Sequence, residues 1–335
     1  MPELLRLHNP LSPGDVTVMT AAVKALHDSH PGRFVTDYKG TASELFHHNP
    51  YITPLRDGRV REIKMEYPLI NFSNQRPRHF IEGYVDFLMD TLGVDITLSE
   101  FRPDIYVSDQ ERRWTGQVHS LVGQSIPYWI IVAGGKYDFT NKWWDHLRFQ
   151  QVVRHFEGKI CFIRVGADGH FHPPLKGVID LRGKTDIRQL VRLVYHSQGV
   201  VCPITFLMHL AAGVPSPETS PAKRACVAIN GGREPVQWEA YPWHQFIHTV
   251  GSLECCMEGG CWKSRTVPLG DGDDKDKPEN LCQSPVKREG LLTIPKCMDM
   301  ITADEVCRRI YLYFEGGERP FLTKQQYEAT LPHLS

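Results

Sequence analysis

From Tyr128 to Asn230 the chain alternates short apolar runs with amphipathic, helix-length segments: YWIIVAG, HLRFQQVVRHF, KICFIRVG, VIDLRG, DIRQLVRLVYHS, GVVCP, ITFLMHLAAG and ACVAIN. Strand-length runs separated this way predict βαβ units, hence a parallel sheet with helices on both faces. A shorter series opens the chain. A strand in LLRLHN and a tight turn precede a helix with Val16, Met19, Val23 and Leu26 at helical spacing, and a strand follows at Arg33–Thr36. Glu66–Phe72 reads as another strand and His79–Leu92 as a helix, so two doubly wound α/β units are expected, with the linker near Gly116–Pro127. At roughly 100–200 residues per domain, 335 residues accommodates both.

Composition removes several function classes. With 41% hydrophobic and 10% aromatic residues the chain is not disordered. The 38 Lys and Arg are balanced by 39 Asp and Glu, so no global field attracts nucleic acid or an anionic membrane. Leu193–Pro217 lacks Asp, Glu, Lys and Arg but is broken by His196, Gln198, Pro203 and His209, which argues against a membrane span. MPELLRLHNP has no basic region followed by an apolar stretch, and the expected location is cytoplasmic.

Nucleotide motifs test negative. Gly183-Lys184-Thr185 has the tail of a phosphate-binding P-loop, but the earlier glycine it requires is Val178, and no Gly-x-Gly-x-x-Gly follows the first strand. Other strand ends carry candidate chemistry. In Ser12-Pro13-Gly14-Asp15, Ser12 is a helix N-cap, Pro13 the first helical residue and Asp15 the acidic partner of a capping box. The same carboxylate stands at the mouth of a βα turn, where it can take a proton from a hydroxyl, and both roles coexist if one oxygen caps and the other faces the cleft. In Ala133-Gly134-Gly135-Lys136 through Lys142-Trp143-Trp144, a strand ends in two glycines with two lysines beyond, either of which can hold a diphosphate. The two tryptophans are core anchors or ligand platforms. Thr205 starts a helix and His209 lies one turn along the same face.

Together these segments resemble the bacterial ADP-heptose heptosyltransferases, glycosyltransferase family 9-like members of the GT-B class. The resemblance rests on Gly14-Asp15 before Val16-x-x-x-Thr20-Ala21-Ala22-x-x-Ala25-Leu26, the Lys142-Trp143 pair, Gly183-Lys184-Thr185 and Met208-His209-Leu210-x-Ala212. It implies two Rossmann-like domains facing a cleft: an acceptor domain over 1–120 and a nucleotide-sugar domain over 121–250, followed by a cysteine-rich segment over 251–300 and a helix and tail over 301–335. It implies Asp15 as catalytic base, and a donor site of Gly14, Gly134, Gly135, Lys136, Lys142, Lys184, Thr185, Thr205 and His209. Lys142 would hold the diphosphate, Thr185 would sit beside the base, and Thr205 and His209 would face the diphosphate. Ile204-Thr205-Phe206 stands where the lipopolysaccharide enzymes carry Asp-Thr-Gly, so the sugar itself is left open. The expected reaction is inverting transfer from an ADP-sugar, ADP-heptose foremost, to a hydroxyl on a protein serine or a glycan, with no catalytic divalent metal and no nucleic-acid partner. A helix over Ala303–Phe314 is expected to cross back to the first domain.

Six of the nine cysteines fall in the last quarter of the chain. Cys256-x4-Cys261-x20-Cys282-x14-Cys297, with Cys255 as an alternative first ligand, supplies four thiolates, enough to close a structural zinc or iron site. Its position resembles that of the autotransporter heptosyltransferases, protein-modifying members that hold iron in a four-cysteine motif. Cys161, Cys202 and Cys226 read as packing residues, and Asp271–Lys277 as a solvated loop. The competing reading is a non-catalytic binding module on a degenerate GT-B scaffold, its surface formed by Lys263, Arg265, Lys287 and Arg288 beside Trp262.

Overall fold

The computed structural model describes residues 1–56, 58–218, 223–288 and 292–335. The chain opens as β1 (Glu3–Asn9), α1 (Pro13–Ser29), β2 (Phe34–Gly40) and β3 (Arg61–Lys64), which form a parallel three-stranded sheet in the order β2-β1-β3. Glu66–Phe72 is not a strand. Pro68 fixes φ and removes a ladder donor, and Pro68–Phe72 coils into a 3-10 helix leading to α2 (Phe80–Leu92). Helix α1 is buried almost all round, from Val16 to Leu26, because α2 packs on one side and the second half of the chain on another.

Two short helices, α3 (Asp109–Arg113) and α4 (Gln117–Val122), lead to the second sheet. That sheet is built from β4 (Tyr128–Ile131), α5 (His146–His155), β5 (Cys161–Arg164), β6 (Ile179–Asp180), α6 (Ile187–His196), β7 (Gly199–Pro203), α7 (Phe206–Gly213), β8 (Ala225–Gly231), α8 (Val236–Glu239) and β9 (Gln245–His248). Its strands are all parallel in the order β6-β5-β4-β7-β8-β9. Every residue of β4, β5, β7 and β8 is buried, which explains their continuous apolar runs. The order reverses between β4 and β7, and the crevice beyond the C-terminal strand ends at that point is where open α/β sheets bind ligands.

A hairpin of β10 (Pro285–Lys287) and β11 (Thr293–Pro295), then α9 (Lys296–Asp299), α10 (Ala303–Leu312) and α11 (Lys324–Thr330), complete the chain. Contrary to expectation, α10 does not cross back to the first sheet. Its apolar stripe, Val306, Cys307 and Ile310, joins the core that includes Trp129, Phe149 and Val227, against α5 and β8. Gly316 and Gly317, at φ of 87° and 76°, turn the chain away, and Leu334 ends in a bridge to Ile179 of β6. The Asp271–Lys277 loop is also not simply solvated: it wraps the buried Arg265 guanidinium, which Asp271 binds through both oxygens at 2.8 Å and Asp276 at 2.5 Å. No helix among the described residues is long and apolar enough to cross a membrane.

Ion pairs tie the two sheets together. Arg188 on α6 binds both oxygens of Glu111 on α3 at 2.5 Å, and His48 from the first unit lies 3.6 Å from the same carboxylate. Burial works to raise this carboxyl, but Arg188 and Ser108 outweigh it and hold it at about 2. A carboxylate with a depressed folded-state pKa contributes stability above its ordinary range and loses it as the pH falls through the folded value. Glu111→Gln is therefore expected to lower Tm at pH 7 and to lose that deficit between about pH 5 and pH 2. Thermal melts across that range check it, and a pH-independent deficit would show that the charge is not what holds the contact.

Candidate active site

A cavity of about 510 Å³ opens at the strand-order reversal, between the start of α1 and the C-terminal ends of the second sheet. Ser12, Gly14, Asp15, Tyr67, Ile70 and Phe80 line it from the first unit. The second unit lines it with Gly134, Gly135, Lys136, Lys142, Trp143, Thr185, Thr205, His209, Arg233, Glu234, Trp238 and Glu239. Nearly all the residues that the sequence marked as site candidates therefore meet here. Lys184 does not: it is exposed, with Nζ donating to the Asp180 carbonyl at 3.0 Å, and it is not a cavity-lining residue.

The expected capping box is not formed. Ser12 has the extended backbone of an N-cap, but its hydroxyl caps nothing and instead accepts from Lys136 Nζ across the cleft at 2.7 Å. Asp15 Oδ1 accepts from the Tyr67 hydroxyl at 2.6 Å. Burial and the Asp15 charge push the Tyr67 phenol well above its ordinary value, so it remains a donor and orients the carboxylate. The start of α1 approaches α7 closely at Gly14, where a Cβ would lie 3.3 Å from His209 Cδ2.

In the same cavity two cations surround one buried carboxylate. Lys142 Nζ is 2.6 Å from Glu234 Oε1, and Arg233 Nη1 binds the same oxygen while its guanidinium lies between the rings of Phe139 and Trp262, at 4.9 and 5.3 Å from their centroids. Burial works to raise the Glu234 carboxyl, but Lys142 and Arg233 outweigh it and keep it below its ordinary value. The loop that delivers Lys142 depends on Gly134, where φ is +129° and a Cβ would sit 1.9 Å from the Phe171 carbonyl. Trp143 stacks on Phe171 at 4.2 Å and lines the cavity, whereas Trp144 is a core anchor whose Nε1 donates to the Ile301 carbonyl at 3.0 Å.

Thr205 caps α7, accepting from the Leu207 amide at 3.2 Å. His209 is 5% exposed. Burial, aided by His79 and Lys142, pushes it down to about 3, so the ring is neutral at pH 7, with Nδ1 paired to the Tyr241 hydroxyl at 2.8 Å. The sequence reading missed Tyr67, Arg233, Glu234 and Glu239. A signal existed for Arg233 and Glu234: they follow Gly231-Gly232 at the end of β8, the pattern already used at Gly134-Gly135.

The cysteine segment packs directly behind these cations. The thiols of the segment are neighbours: burial pushes Cys297 up to about 12, with Cys261, Cys282 and Cys255 adding to the effect, and Cys255 up to about 11, with Cys261, Cys256 and Cys282 adding to it. Backbone amides of Lys263, Ser284 and Gly232 hydrogen-bond to Cys261, Cys282 and Cys297. Cys256, the expected first ligand, turns its thiol to the carbonyls of Leu253 and Thr249 at 3.4 and 3.6 Å, and Cys255 beside it is the alternative. Among the described residues, no group of three or more His, Cys, Asp or Glu is set at metal-holding geometry. The basic residues of the binding-module reading do not form one free surface, although Lys287 is exposed. Arg265 is buried, Arg288 is paired with Asp145 and Asp299, and Trp262 lines the cavity.

Comparison with known proteins follows the same outline. The family model for glycosyltransferase family 9 (heptosyltransferase) matches residues 56–257. No curated protein matches the chain. Among solved structures, a glycosyl transferase of family 9 from Veillonella parvula is 14% identical, with a TM-score of 0.62 over 93% of this chain and 97% of that one. The iron-containing dodecameric glycosyltransferase TibC from enterotoxigenic E. coli is 17% identical, with a TM-score of 0.58 over 93% of this chain and 76% of that one. E. coli ADP-heptose lipopolysaccharide heptosyltransferase II is 13% identical, with a TM-score of 0.56 over 93% and 98%.

Proposed function

Because the chain belongs to glycosyltransferase family 9, the heptosyltransferases, we propose that it transfers heptose from ADP-heptose to an acceptor hydroxyl in one inverting displacement. The observation that carries this reading is that Asp15 of the first unit and Lys142 and Arg233 of the second line one cavity. In that arrangement Asp15, oriented by Tyr67, takes the proton of the acceptor hydroxyl as its oxygen bonds to the anomeric carbon. The bond from that carbon to the β-phosphate oxygen breaks, its electron pair leaves with ADP, and Lys142 and Arg233 offset the developing charge. The N-terminus of α7 at Thr205 faces the same diphosphate. Thr185 lies by the base, and Gly134 and Gly135 let the backbone approach the donor. Lys136, bridging to Ser12, holds the two walls in register.

The proposal includes a structural metal, iron or zinc, on Cys255, Cys261, Cys282 and Cys297. The proximity of these thiols and the backbone amides on three of the sulfurs support it, as does the likeness of fold to a protein described as iron-containing. Four thiolates leave no open position, so the metal would staple the loops behind Arg233 and take no part in transfer.

A thermal-shift screen against ADP-, UDP-, GDP- and TDP-sugars, with elemental analysis of the same sample, tests both parts. At a hundredfold excess over Kd, an ADP-sugar adds about 2.7 kcal/mol to the native state, so a rise in Tm of several degrees selective for ADP-heptose is expected. About one equivalent of iron or zinc is expected, and its removal by a chelator should lower Tm. No shift with any nucleotide sugar would sink the transferase reading, and absence of bound metal would sink the staple.

A further inference from the structure

One carboxyl in the cavity has no role in the transfer as described. Glu239 ends α8, is 5% exposed and lines the cavity, yet its Oε2 is shut off from solvent with no hydrogen-bond partner. Glu234 has Lys142 and Arg233, whereas beside Glu239 stands the neutral imidazole of His209, whose Nδ1 is paired to Tyr241 and whose Nε2 lies 3.8 Å from Oε2, beyond hydrogen-bond distance. Burial, reinforced by the charges of Glu234 and Asp15, pushes the Glu239 carboxyl well above its ordinary range, and Lys142 and Arg233 offset this only in part. A carboxyl in such a setting takes up a proton more readily than an ordinary one and, protonated, can donate it in a hydrogen bond.

Its surroundings say to what. Glu239 shares the cavity with Lys142 and Arg233, the cations proposed to hold the diphosphate, and with Asp15, and it feels the charge of all three. In a single displacement the sugar occupies that cavity, between the diphosphate and the acceptor hydroxyl. We propose that Glu239 is a specificity-determining residue that donates a hydrogen bond to a hydroxyl of the sugar being transferred. This inference rests on the transferase reading above. A sugar lacking that hydroxyl would leave a buried donor unpaired, the kind of mismatch by which enzymes reject analogues most strongly.

Calorimetric titration of the full chain with ADP and with ADP-heptose separates this role from a structural one. Glu239→Leu is expected to weaken ADP-heptose by about tenfold or more while leaving ADP within about twofold, because ADP has no sugar at that position. Glu239→Gln, a neutral side chain of the same length that still donates, is expected to stay within about threefold for both ligands. If the leucine variant does not fold, Glu239→Asp withdraws the acid by one methylene and should show the same selective loss. Equal loss of ADP and ADP-heptose, no loss of either, or a glutamine variant as impaired as leucine would each overturn the proposal. Failure of ADP-heptose to bind the wild-type chain would instead overturn the donor reading, and this inference with it.

Discussion

Asp15→Asn is expected to lower kcat/KM by about 10²–10⁴-fold, the range that a positioned general base contributes, while Tm and ADP affinity stay near wild type. The separation is clean because of how Asp15 is held. Its Oδ1 accepts from Tyr67, and an asparagine oxygen still accepts that bond, without the strengthening of the charge. The capping box that would tie it to the helix start is not made. The substitution therefore removes the capacity to take a proton and little else. Steady-state kinetics with ADP-heptose, alongside a thermal melt and an ADP titration, give the comparison. A variant within tenfold of wild type would discard the base assignment and leave the carboxylate as a fold element of α1.

What could be foreseen of this molecule follows from where its information is local. The second sheet was legible because β4, β5, β7 and β8 are buried on both faces, so each is a continuous apolar run, and the alternation with helices such as α6 forces parallel strands. The first sheet was only half legible. In β3, Arg61-Glu62-Ile63-Lys64, only Ile63 is buried, and an edge strand of that kind carries no pattern to read. The apolar run at Glu66–Phe72 looked more strand-like, and Pro68 turned it into a 3-10 helix. The site divides in the same way. Lys142, Thr205 and His209 stand just past strand ends, which the βαβ pattern places. Tyr67 and Glu239 sit on a 3-10 turn and a four-residue helix, and only the convergence of distant segments makes them site residues. Ser12 is the sharpest case: its backbone is that of an N-cap, but its hydroxyl is claimed by a lysine 124 positions away, which no local pattern can announce.

Lys142→Met is expected to reduce kcat by about 10²–10³-fold, the scale of losing one preorganised charge-stabilising group, and to weaken ADP binding as well. It also has an effect beyond the loss of a phosphate ligand. In the free enzyme Lys142 is paired with Glu234, so the diphosphate must take the ammonium away from a buried carboxylate that retains Arg233. With methionine in its place, Glu234 keeps one cation instead of two and its carboxyl rises. The cost to stability should stay below the about 3–5 kcal/mol of leaving a buried charge with no partner. The sign of its pH dependence follows. The wild-type carboxyl is held below its ordinary value, so the pair's contribution is full above that value and is lost as the pH falls through the depressed one. The Tm difference between wild type and variant should thus be largest near pH 7 and shrink below about pH 5. Kinetics and melts on the same preparation tell the two roles apart. A variant with wild-type kcat and only the pH-dependent loss of Tm would make Lys142 a structural partner of Glu234, and would move the diphosphate to Arg233 and the start of α7.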